Sequence, residues 1–341
     1  MGVAADSSRP AGTAHDALGK RVAVLDTGYD SYAAEREALR QADAFLELFE
    51  GGRHDRAGKL AFGRGAAGIF VRWTLVDEAF LEGLPGLEAV VRYGVGYDNV
   101  DLAAASARGV KVCNVQGYAN HSVSDHALAL IMASVRGLRQ GMQQLRTDYG
   151  APPWESLGEL KDMTLGIVGL GRIGGTLCAK ARALFGRVLA CDPYIPEERF
   201  SALGASRCDL DVLLGASEVV SVHCTLTPET QGIFDATAFA KMRPSSVFVN
   251  TARGPIADEE ALLAALDRGH LVAAGLDVFC DEPPLSNRDA LIAHPRVTAT
   301  GHYGWYTTAA SEELQRRAGA NMAAMLCGTL PEDCLNAAAF R

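Results

Sequence analysis

Short apolar runs alternate with helix-forming segments along most of the chain. The first runs are RVAVLD (21–26), GIFVRW (68–73), LEAVVRYG (87–94) and VKVCNV (110–115), and segments such as YAAEREALRQ (32–41) and DEAFLEGL (77–84) lie between them. Strands that helices cover on both faces read as continuous apolar runs, and this arrangement is typical of parallel sheets. The alternation therefore predicts an α/β fold with parallel strands.

The alternation is interrupted once and then restarts. The segment from Ser122 to about Tyr149 contains no proline, and SVSD (122–125) at its start predicts a helix N-cap. Pro152 and Pro153 are expected to end this helix. Six further apolar runs follow: TLGIVGL (164–170), RVLACD (187–192), VVSVHC (219–224), SVFVNTA (246–252), LVAAGLDVF (271–279) and RVTAT (296–300). We therefore expect two α/β units connected by a long helix.

Composition limits the classes of function. With 341 residues, of which 48% are hydrophobic and 21% charged, the chain is long enough for two globular domains. Its net charge of −9, without a Lys/Arg-rich cluster, argues against binding of nucleic acid or of an anionic membrane. The longest apolar run, ALALIMASV (127–135), is too short to span a bilayer. Eight cysteines without a Cys-x-x-Cys pair indicate reduced thiols and a cytoplasmic protein.

The motif GLGRIG (169–174) directly follows an apolar run and opens a helix-forming segment. In this context Gly169 allows a tight turn, Gly171 lets the backbone approach a pyrophosphate, and Gly174 lets the helix pack closely on the strand. Asp192 ends the next strand, where a carboxylate can bind the hydroxyls of an adenosine ribose and repel a 2′-phosphate. The pattern predicts a dinucleotide site that favours NAD over NADP.

Three polar segments follow apolar runs in the second unit: NTARG (250–254), DVFCDEPP (277–284) and Gly301-His302. The carboxyl ends of parallel strands lie at one edge of a sheet, where ligands bind. Arg253, Glu282 and His302 are therefore expected to converge there.

These motifs identify a family resemblance. The chain resembles the D-isomer-specific 2-hydroxyacid dehydrogenases through RYGVGYDNVD (92–101), GLGRIG, CDPY (191–194), HCTLTPET (223–230), NTARG, DVFCDEPP and His302. Arg92 together with HYGWY (302–306) is most similar to the C-terminal-binding-protein branch. The resemblance implies two Rossmann-like domains, a flavodoxin-like substrate domain and a doubly wound NAD-binding domain, with the active site in the cleft between them.

The resemblance also implies a division of the chain. Residues 1–20 would be a flexible tail, residues 21–120 and 308–341 the substrate domain, and residues 121–307 the NAD-binding domain. Family members are dimers, so a homodimer formed through the NAD-binding domain is expected.

Catalytic roles follow from the resemblance and agree with the chemistry of the side chains. His302 would be the general acid that protonates the carbonyl oxygen of a 2-keto acid, and the base in the reverse direction. Glu282 would bind one imidazole nitrogen, which stabilises the protonated ring and fixes its orientation. Arg253 would bind the substrate carboxylate, since its guanidinium is planar and permanently charged.

The resemblance extends to the ligand contacts. Cofactor contacts are expected from Gly169, Gly171, Arg172, Ile173, Gly174, Asp192, Cys224, Thr225, Thr230, Thr251, Ala252, Arg253, Asp277 and His302. Substrate contacts are expected from Arg72, Arg92, Gly94, Val95, Gly96 and Trp305. Two of the latter have alternatives, because Arg72 can equally be a surface residue and Trp305 can pack against the last helix.

Two features bear on alternative functions. Gly301 stands where the family usually has a proline before the catalytic histidine, which would loosen that loop. Some members of the branch act as NAD-dependent corepressors, so an NAD(H)-sensing binding protein with little turnover is the alternative to a 2-keto-acid reductase. No metal is expected, because His121, Asp125 and His126 offer only one helical i, i+4 pair and lack a third ligand.

Overall fold

The computed structural model describes residues 19–145, 148–149, 158–282 and 289–341. The chain divides into two compact units, Met1–Val115 with Leu314–Arg341, and Gln116–Glu313. These divisions lie a few residues from the boundaries expected from the sequence. Most of the expected tail, Pro152 and Pro153, and the two prolines of DVFCDEPP lie outside the described residues.

The first unit is built on a five-stranded parallel sheet with the order β2-β1-β3-β4-β5. Its strands are β1 (Lys20–Val24), β2 (Ala44–Leu48), β3 (Gly68–Val71), β4 (Ala89–Arg92) and β5 (Lys111–Cys113). Its helices before residue 115 are α1 (Ala33–Arg40), α2 (Arg56–Gly63), α3 (Glu78–Glu82) and α4 (Leu102–Ala107). This strand order is that of flavodoxin-like sheets. The predicted α/β class is confirmed, although β2 was not predicted, because exposed Glu47 interrupts this short strand at the sheet edge.

The second unit contains a seven-stranded parallel sheet with the order β12-β11-β10-β9-β6-β7-β8. Its strands are β6 (Thr164–Val168), β7 (Arg187–Cys191), β8 (Ser206–Arg207), β9 (Val219–Val222), β10 (Ser246–Asn250), β11 (Leu271–Leu276) and β12 (Val297–Ala299). The remaining helices are α5 (Asn120–Val135), α6 (Leu138–Gln144), α7 (Arg172–Ala181), α8 (Glu197–Leu203), α9 (Leu210–Ala216), α10 (Ala236–Lys241), α11 (Glu259–Asp267), α12 (Asp289–Ala293) and α13 (Thr308–Leu326). The chain winds outward from β6 in both directions, which is the doubly wound arrangement.

The long helix expected from Ser122 to Tyr149 is wrong in two respects. Gly137 adopts a left-handed conformation with φ +57° and separates α5 from α6. Glycine reaches this conformation without steric cost, so a proline is not needed to break the helix. The predicted N-cap at SVSD is also wrong, since α5 already begins at Asn120 and the Ser124 hydroxyl donates back to the carbonyl of His121 at 3.0 Å.

The interiors of both units are largely apolar. In the second unit, three phenylalanine rings pack against one another: Phe234 just before α10, Phe239 on α10 and Phe248 on β10. The ring centroids of Phe234 and Phe239 lie 5.0 and 5.2 Å from that of Phe248. None of the helices in the described ranges is long and apolar enough to cross a membrane.

A buried ion pair lies within the first unit. Lys59 Nζ is 2.6 Å from Asp26 Oδ1, and both side chains are almost completely buried. Asp26 Oδ2 accepts the backbone N–H groups of residues 72–74 at 2.7–2.8 Å. Burial raises the pKa of the Asp26 carboxyl, but the hydrogen bonds from Lys59 and from these N–H groups together lower it further than burial raises it. The pair thereby fixes the turn that follows β3.

We expect Lys59→Met to destabilise the protein by about 3–5 kcal/mol, because it leaves a carboxylate buried without its cation. Urea denaturation followed by circular dichroism measures the change. Lys241→Met is the matched control, since Lys241 pairs with Asp211 at the surface and such pairs contribute at most about 1 kcal/mol. Equal effects of the two substitutions would contradict the role assigned to the buried pair.

Candidate active site

The glycine loop connects β6 to α7. Gly169 has φ +92° and donates its N–H to the carbonyl of Cys191 at 2.9 Å. A Cβ at this position would lie 2.5 Å from the backbone nitrogen of Cys224, so only glycine fits. A Cβ on Gly174 would overlap the carbonyl oxygen of Gly169, which shows how closely α7 approaches the loop.

Gly171 differs from the other two glycines of the motif, because a Cβ there would meet no atom within 4 Å. The open space lies at the N-terminus of α7, where Arg172 and Ile173 are the first two helical residues. Their N–H groups have no partner inside the helix, and such termini bind phosphate groups. The loop therefore fits the pyrophosphate of a dinucleotide.

Asp192 directly follows β7 and is tied to the glycine loop. Its Oδ2 accepts the N–H of Leu170 at 2.8 Å, and its Oδ1 accepts the N–H of Tyr194 at 3.0 Å. A carboxylate has about four acceptor positions, so two backbone bonds leave capacity for ribose hydroxyls. The residue lies where the sequence places it, at the end of the strand after the glycine motif.

The segment after β9 forms a compact turn. Thr230 Oγ1 donates to the carbonyl of Thr225 at 2.6 Å and accepts the N–H of Thr227 at 2.8 Å. Burial raises the pKa of the Cys224 thiol to about 11 and lowers the pKa of His223 to about 4. Both side chains are therefore neutral near pH 7.

Three neighbouring strands bring the polar segments together. In the parallel register, Asn250 of β10 pairs with Leu276 of β11, which in turn pairs with Ala299 of β12. The segments that begin at residues 251, 277 and 300 therefore leave the sheet side by side at its carboxyl edge. This arrangement holds Arg253, Glu282 and His302 on adjacent segments.

His302 and Glu282 form the central contact of this edge. His302 Nδ1 is bonded to Glu282 Oε2, while Glu282 Oε1 accepts the N–H of Phe279 at 2.9 Å. His302 has φ +55°, a left-handed conformation that is unfavourable for a residue with a side chain. Because Nδ1 is bonded to the carboxylate, Nε2 is the nitrogen that can exchange a proton with a substrate.

Arg253 is held by its own loop. Asn250 Nδ2 donates to the carbonyl of Arg253 at 2.9 Å, and Asn250 Oδ1 accepts the N–H of Ala252 at 3.0 Å. A Cβ on Gly254 would overlap the main chain of Phe279, so this loop packs directly on the segment that carries Glu282. The main chain of Arg253 is therefore fixed at this edge.

Two other residues expected to bind the cofactor are buried. Thr251 Oγ1 has no hydrogen-bond partner among the described residues, and such an atom needs a partner that a ligand can supply. Asp277 lies beneath the His302 turn, where its carbonyl accepts the N–H of His302 at 2.7 Å and its Oδ2 accepts the N–H of Gly304 at 2.9 Å.

The first unit carries most of the residues expected to bind substrate. Arg92 ends β4, and Gly94, two residues later, has φ +129°. The carbonyls of Gly94 and Val95 accept hydrogen bonds from the Val115 N–H at 3.0 Å and from Asn114 Nδ2 at 2.5 Å. The segment from Gly94 to Gly96 is thus fixed through its carbonyls.

Arg72 follows β3, and its guanidinium lies 4.6 Å from the centroid of the Trp73 ring. Trp305 belongs to the other unit and packs against Tyr118 and Tyr306, with centroid distances of 6.4 and 5.4 Å. Both of these aromatic neighbours precede the last helix (Thr308–Leu326), so these contacts are not the packing against that helix that the sequence allowed.

Two of the three residues considered for a metal bind other side chains. Asp125 binds Lys180 Nζ at 2.6 Å, and His126 Nε2 lies 2.8 Å from Thr300 Oγ1. Within the described ranges, no group of three His, Cys, Asp or Glu side chains could hold a metal ion. The contact of His126 with Thr300 was missed in the sequence, because nothing in the pattern relates residues so far apart.

Comparisons with known proteins support the resemblance. Residues 128–304, just over half of the chain, match the family described as "D-isomer specific 2-hydroxyacid dehydrogenase, NAD binding domain". The chain is 40% identical over 287 residues to D-3-phosphoglycerate dehydrogenase of Mycobacterium leprae, covering 83% of this chain and 53% of that protein. It is 36% identical over 276 residues to glyoxylate/hydroxypyruvate reductase B of Salmonella gallinarum, covering 80% and 85%.

A solved structure is similar along almost the whole chain. The glyoxylate reductase from Paecilomyes thermophila matches with a TM-score of 0.81 and 28% identity, covering 94% of this chain and 99% of that one. The chain spans about half the length of the phosphoglycerate dehydrogenases that it matches. The family inferred from the motifs is thereby confirmed, and the chain belongs to the D-isomer-specific 2-hydroxyacid dehydrogenases.

Proposed function

We propose that the protein is an NAD(H)-dependent oxidoreductase that interconverts a 2-keto acid and a D-2-hydroxy acid. The observation that carries the proposal is the bonded pair of His302 and Glu282 on segments adjacent to that of Arg253. Family membership and the open cradle at Gly171 support a nicotinamide dinucleotide as the partner in the reaction.

NADH supplies the hydride when it is bound, and the protein's own residues handle the proton. His302 Nε2 donates a proton to the carbonyl oxygen of the keto acid and accepts one in the reverse direction. Glu282 holds the ring through Nδ1, so that Nε2 faces the reaction in a single orientation. Glu282 therefore fixes the orientation of the His302 ring and also stabilises its protonated form.

Arg253 binds the substrate carboxylate through its planar, permanently charged guanidinium. The N–H groups of Gly94, Val95 and Gly96 form a second carboxylate cradle, supported by the engagement of this segment's carbonyls. Arg72, Arg92 and Trp305 contact the remainder of the substrate. A small keto acid such as glyoxylate or hydroxypyruvate is the first candidate, since the match to the Salmonella reductase covers 85% of that protein.

The cofactor contacts extend along the edge of the second sheet. The pyrophosphate binds at Gly169, Gly171, Arg172, Ile173 and Gly174, and the adenosine ribose at Asp192. The remaining contacts are Cys224, Thr225, Thr230, Thr251, Ala252, Arg253, Asp277 and His302. Asp192 repels a 2′-phosphate, which favours NADH over NADPH.

We also propose a homodimer formed through the second unit. Leu138, Met142 and Leu145 on α6 and just after it have helical spacing, and between 54% and 74% of each residue is exposed. An exposed apolar stripe of this kind is typical of a protein interface.

A cytoplasmic location is proposed as well, since all eight cysteines lie in the described ranges and none forms a disulfide.

The principal test follows NADH oxidation with 2-keto acids from glyoxylate to phenylpyruvate. We expect turnover of at least one of them, and we expect His302→Ala to lower kcat by about 100-fold or more, as loss of a general acid does. Glu282→Gln should also lower kcat while leaving NADH affinity unchanged. Binding of NADH without turnover of any keto acid would refute the reductase and favour a corepressor-like sensor.

Replacing Asp192 tests the cofactor preference. We expect Asp192→Ala to raise the ratio of NADPH to NADH efficiency by about fivefold or more, since a unit charge about 4 Å away contributes about 1 kcal/mol even in water. Steady-state kinetics with both cofactors measures this ratio. An unchanged ratio would show that another residue sets the preference.

The apolar stripe makes a prediction about assembly. Leu138→Glu with Met142→Glu places two charges on the proposed interface, so we expect the protein to sediment as a monomer. Val212→Glu, at an exposed apolar residue on α9, is the control and should leave the assembly unchanged. A double variant that sediments like the unaltered protein would exclude this interface.

A further inference from the structure

The turn that carries His302 is held from beneath by one carboxylate. Asp277 Oδ1 accepts the hydroxyl of Thr300 at 2.6 Å and the N–H of Tyr303 at 3.2 Å, and Oδ2 accepts the N–H of Gly304. Burial raises the pKa of Asp277, but hydrogen bonds from His126, Thr300 and Gly304 lower it by more in total. Asp277 is therefore a buried, charged acceptor at the centre of the turn.

His126 is the side chain from α5 that completes this group. Its Nε2 lies 2.8 Å from Thr300 Oγ1 and 3.4 Å from Asp277 Oδ1. Because the single hydroxyl proton of Thr300 goes to Asp277, Thr300 Oγ1 must accept from His126, so Nε2 carries the hydrogen. His126 thus donates into the turn, and its ring also packs edge-on against Tyr303 at 5.2 Å.

Gly304 packs closely against both Asp277 and His126. A Cβ on Gly304 would lie 2.8 Å from Asp277 Oδ2 and 2.9 Å from His126 Cδ2. By contrast, a Cβ on Gly301 would meet nothing within 4 Å, so the residue before His302 is not held by packing. The left-handed conformation of His302 is supported by its own bonds to the Asp277 carbonyl and to Glu282, and by the bonds that converge on the side chains of Asp277 and Thr300.

We propose that His126 is a positioning residue for the proton-transfer reaction. Through Thr300 and Asp277 it holds the turn of residues 300–304 in the conformation that keeps His302 Nδ1 on Glu282. His126 does not touch the reacting atoms. The inference rests on the proposed function for its effect on catalysis, whereas its effect on the bond between His302 and Glu282 does not depend on the substrate.

Four variants isolate the hydrogen bond from the fold. His126→Leu removes the donor, and His126→Gln supplies an amide N–H at a similar reach. Thr300→Val removes the hydroxyl that relays the bond, and Thr300→Ser retains it. His270→Leu is the matched control, because His270 Nε2 lies 3.0 Å from the carbonyl of Met242, away from the turn.

Two readouts are made on the full-length protein. The first is kcat with the keto acid turned over by the unaltered protein, together with NADH affinity from fluorescence titration. The second is the downfield proton resonance of the bond between His302 Nδ1 and Glu282, which is assigned by its loss in Glu282→Gln. This resonance is recorded without substrate, so it is independent of turnover.

We expect His126→Leu and Thr300→Val each to lower kcat by about tenfold or more, because displacement of a catalytic group by about 1 Å can cost that much rate. NADH affinity should fall by much less than kcat, because the glycine loop and Asp192 are untouched, and the downfield resonance should be lost. His126→Gln and Thr300→Ser should restore both kcat and the resonance. The double variant His126→Leu with Thr300→Val should have the same kcat as the slower single variant, because both changes break the same hydrogen bond. His270→Leu should match the unaltered protein.

The opposing outcomes are distinct. If His126→Leu retains the resonance and kcat, the inference is wrong. If it weakens NADH binding as much as kcat, and His126→Gln restores neither, His126 is only structural and the inference is again wrong. If the unaltered protein turns over no keto acid, the proposed function fails, and the resonance alone decides the role of His126.

Discussion

Hydrogen bonding between β10, β11 and β12 in parallel register aligns Asn250, Leu276 and Ala299 in one row. Every residue to which we assign proton transfer or carboxylate binding in this unit lies a few positions beyond that row. A shift of one strand by one residue would turn its side chains to the other face and separate the catalytic segments. The chemistry of this edge therefore depends on sheet register before it depends on any individual side chain.

The loops beyond the row are held by their main chains rather than by large side chains. Gly254 lies against the backbone of Phe279, and Gly169 lies against that of Cys224, so substituents larger than hydrogen are excluded at both positions. Such contacts transmit the geometry of one strand directly to the next loop. Where the packing is open, at Gly171 and Gly301, a ligand or a hydrogen-bonded turn must define the conformation instead.

The sequence was most informative where burial produces a continuous pattern. The central strands β3, β9 and β10 are buried at every residue, and each corresponds to an apolar run that predicts a strand. The general geometry of parallel sheets predicted that the segments carrying Arg253, Glu282 and His302 leave the sheet side by side, as they do. The family inference depended on several motifs in a fixed order. Each of these motifs lies at or just beyond the end of a strand in the structure, where the general geometry of parallel sheets places ligand-binding residues.

Other features could not be predicted because they depend on contacts between distant residues. Lys59 with Asp26 and His126 with Thr300 each join parts of the chain that no local periodicity relates. The break at Gly137 was missed because glycine permits a left-handed conformation without requiring one. The residue type alone therefore does not show that the helix ends there. Serines at the start of α5 suggested a cap, yet Ser124 bonds within the helix instead.

The anchor of the turn after β3 lets two of its side chains vary during evolution. Asp26 holds residues 72–74 through their N–H groups, which every amino acid except proline possesses. The anchor therefore does not use the side chains of Arg72 and Trp73, whereas the Thr74 hydroxyl also donates to Asp26 Oδ1 at 2.8 Å. Substitutions at Arg72 and Trp73 can therefore change the size and charge of the surface that follows β3 while the scaffold stays intact. Mutations can accumulate at these two positions without first requiring compensating mutations elsewhere in the first unit.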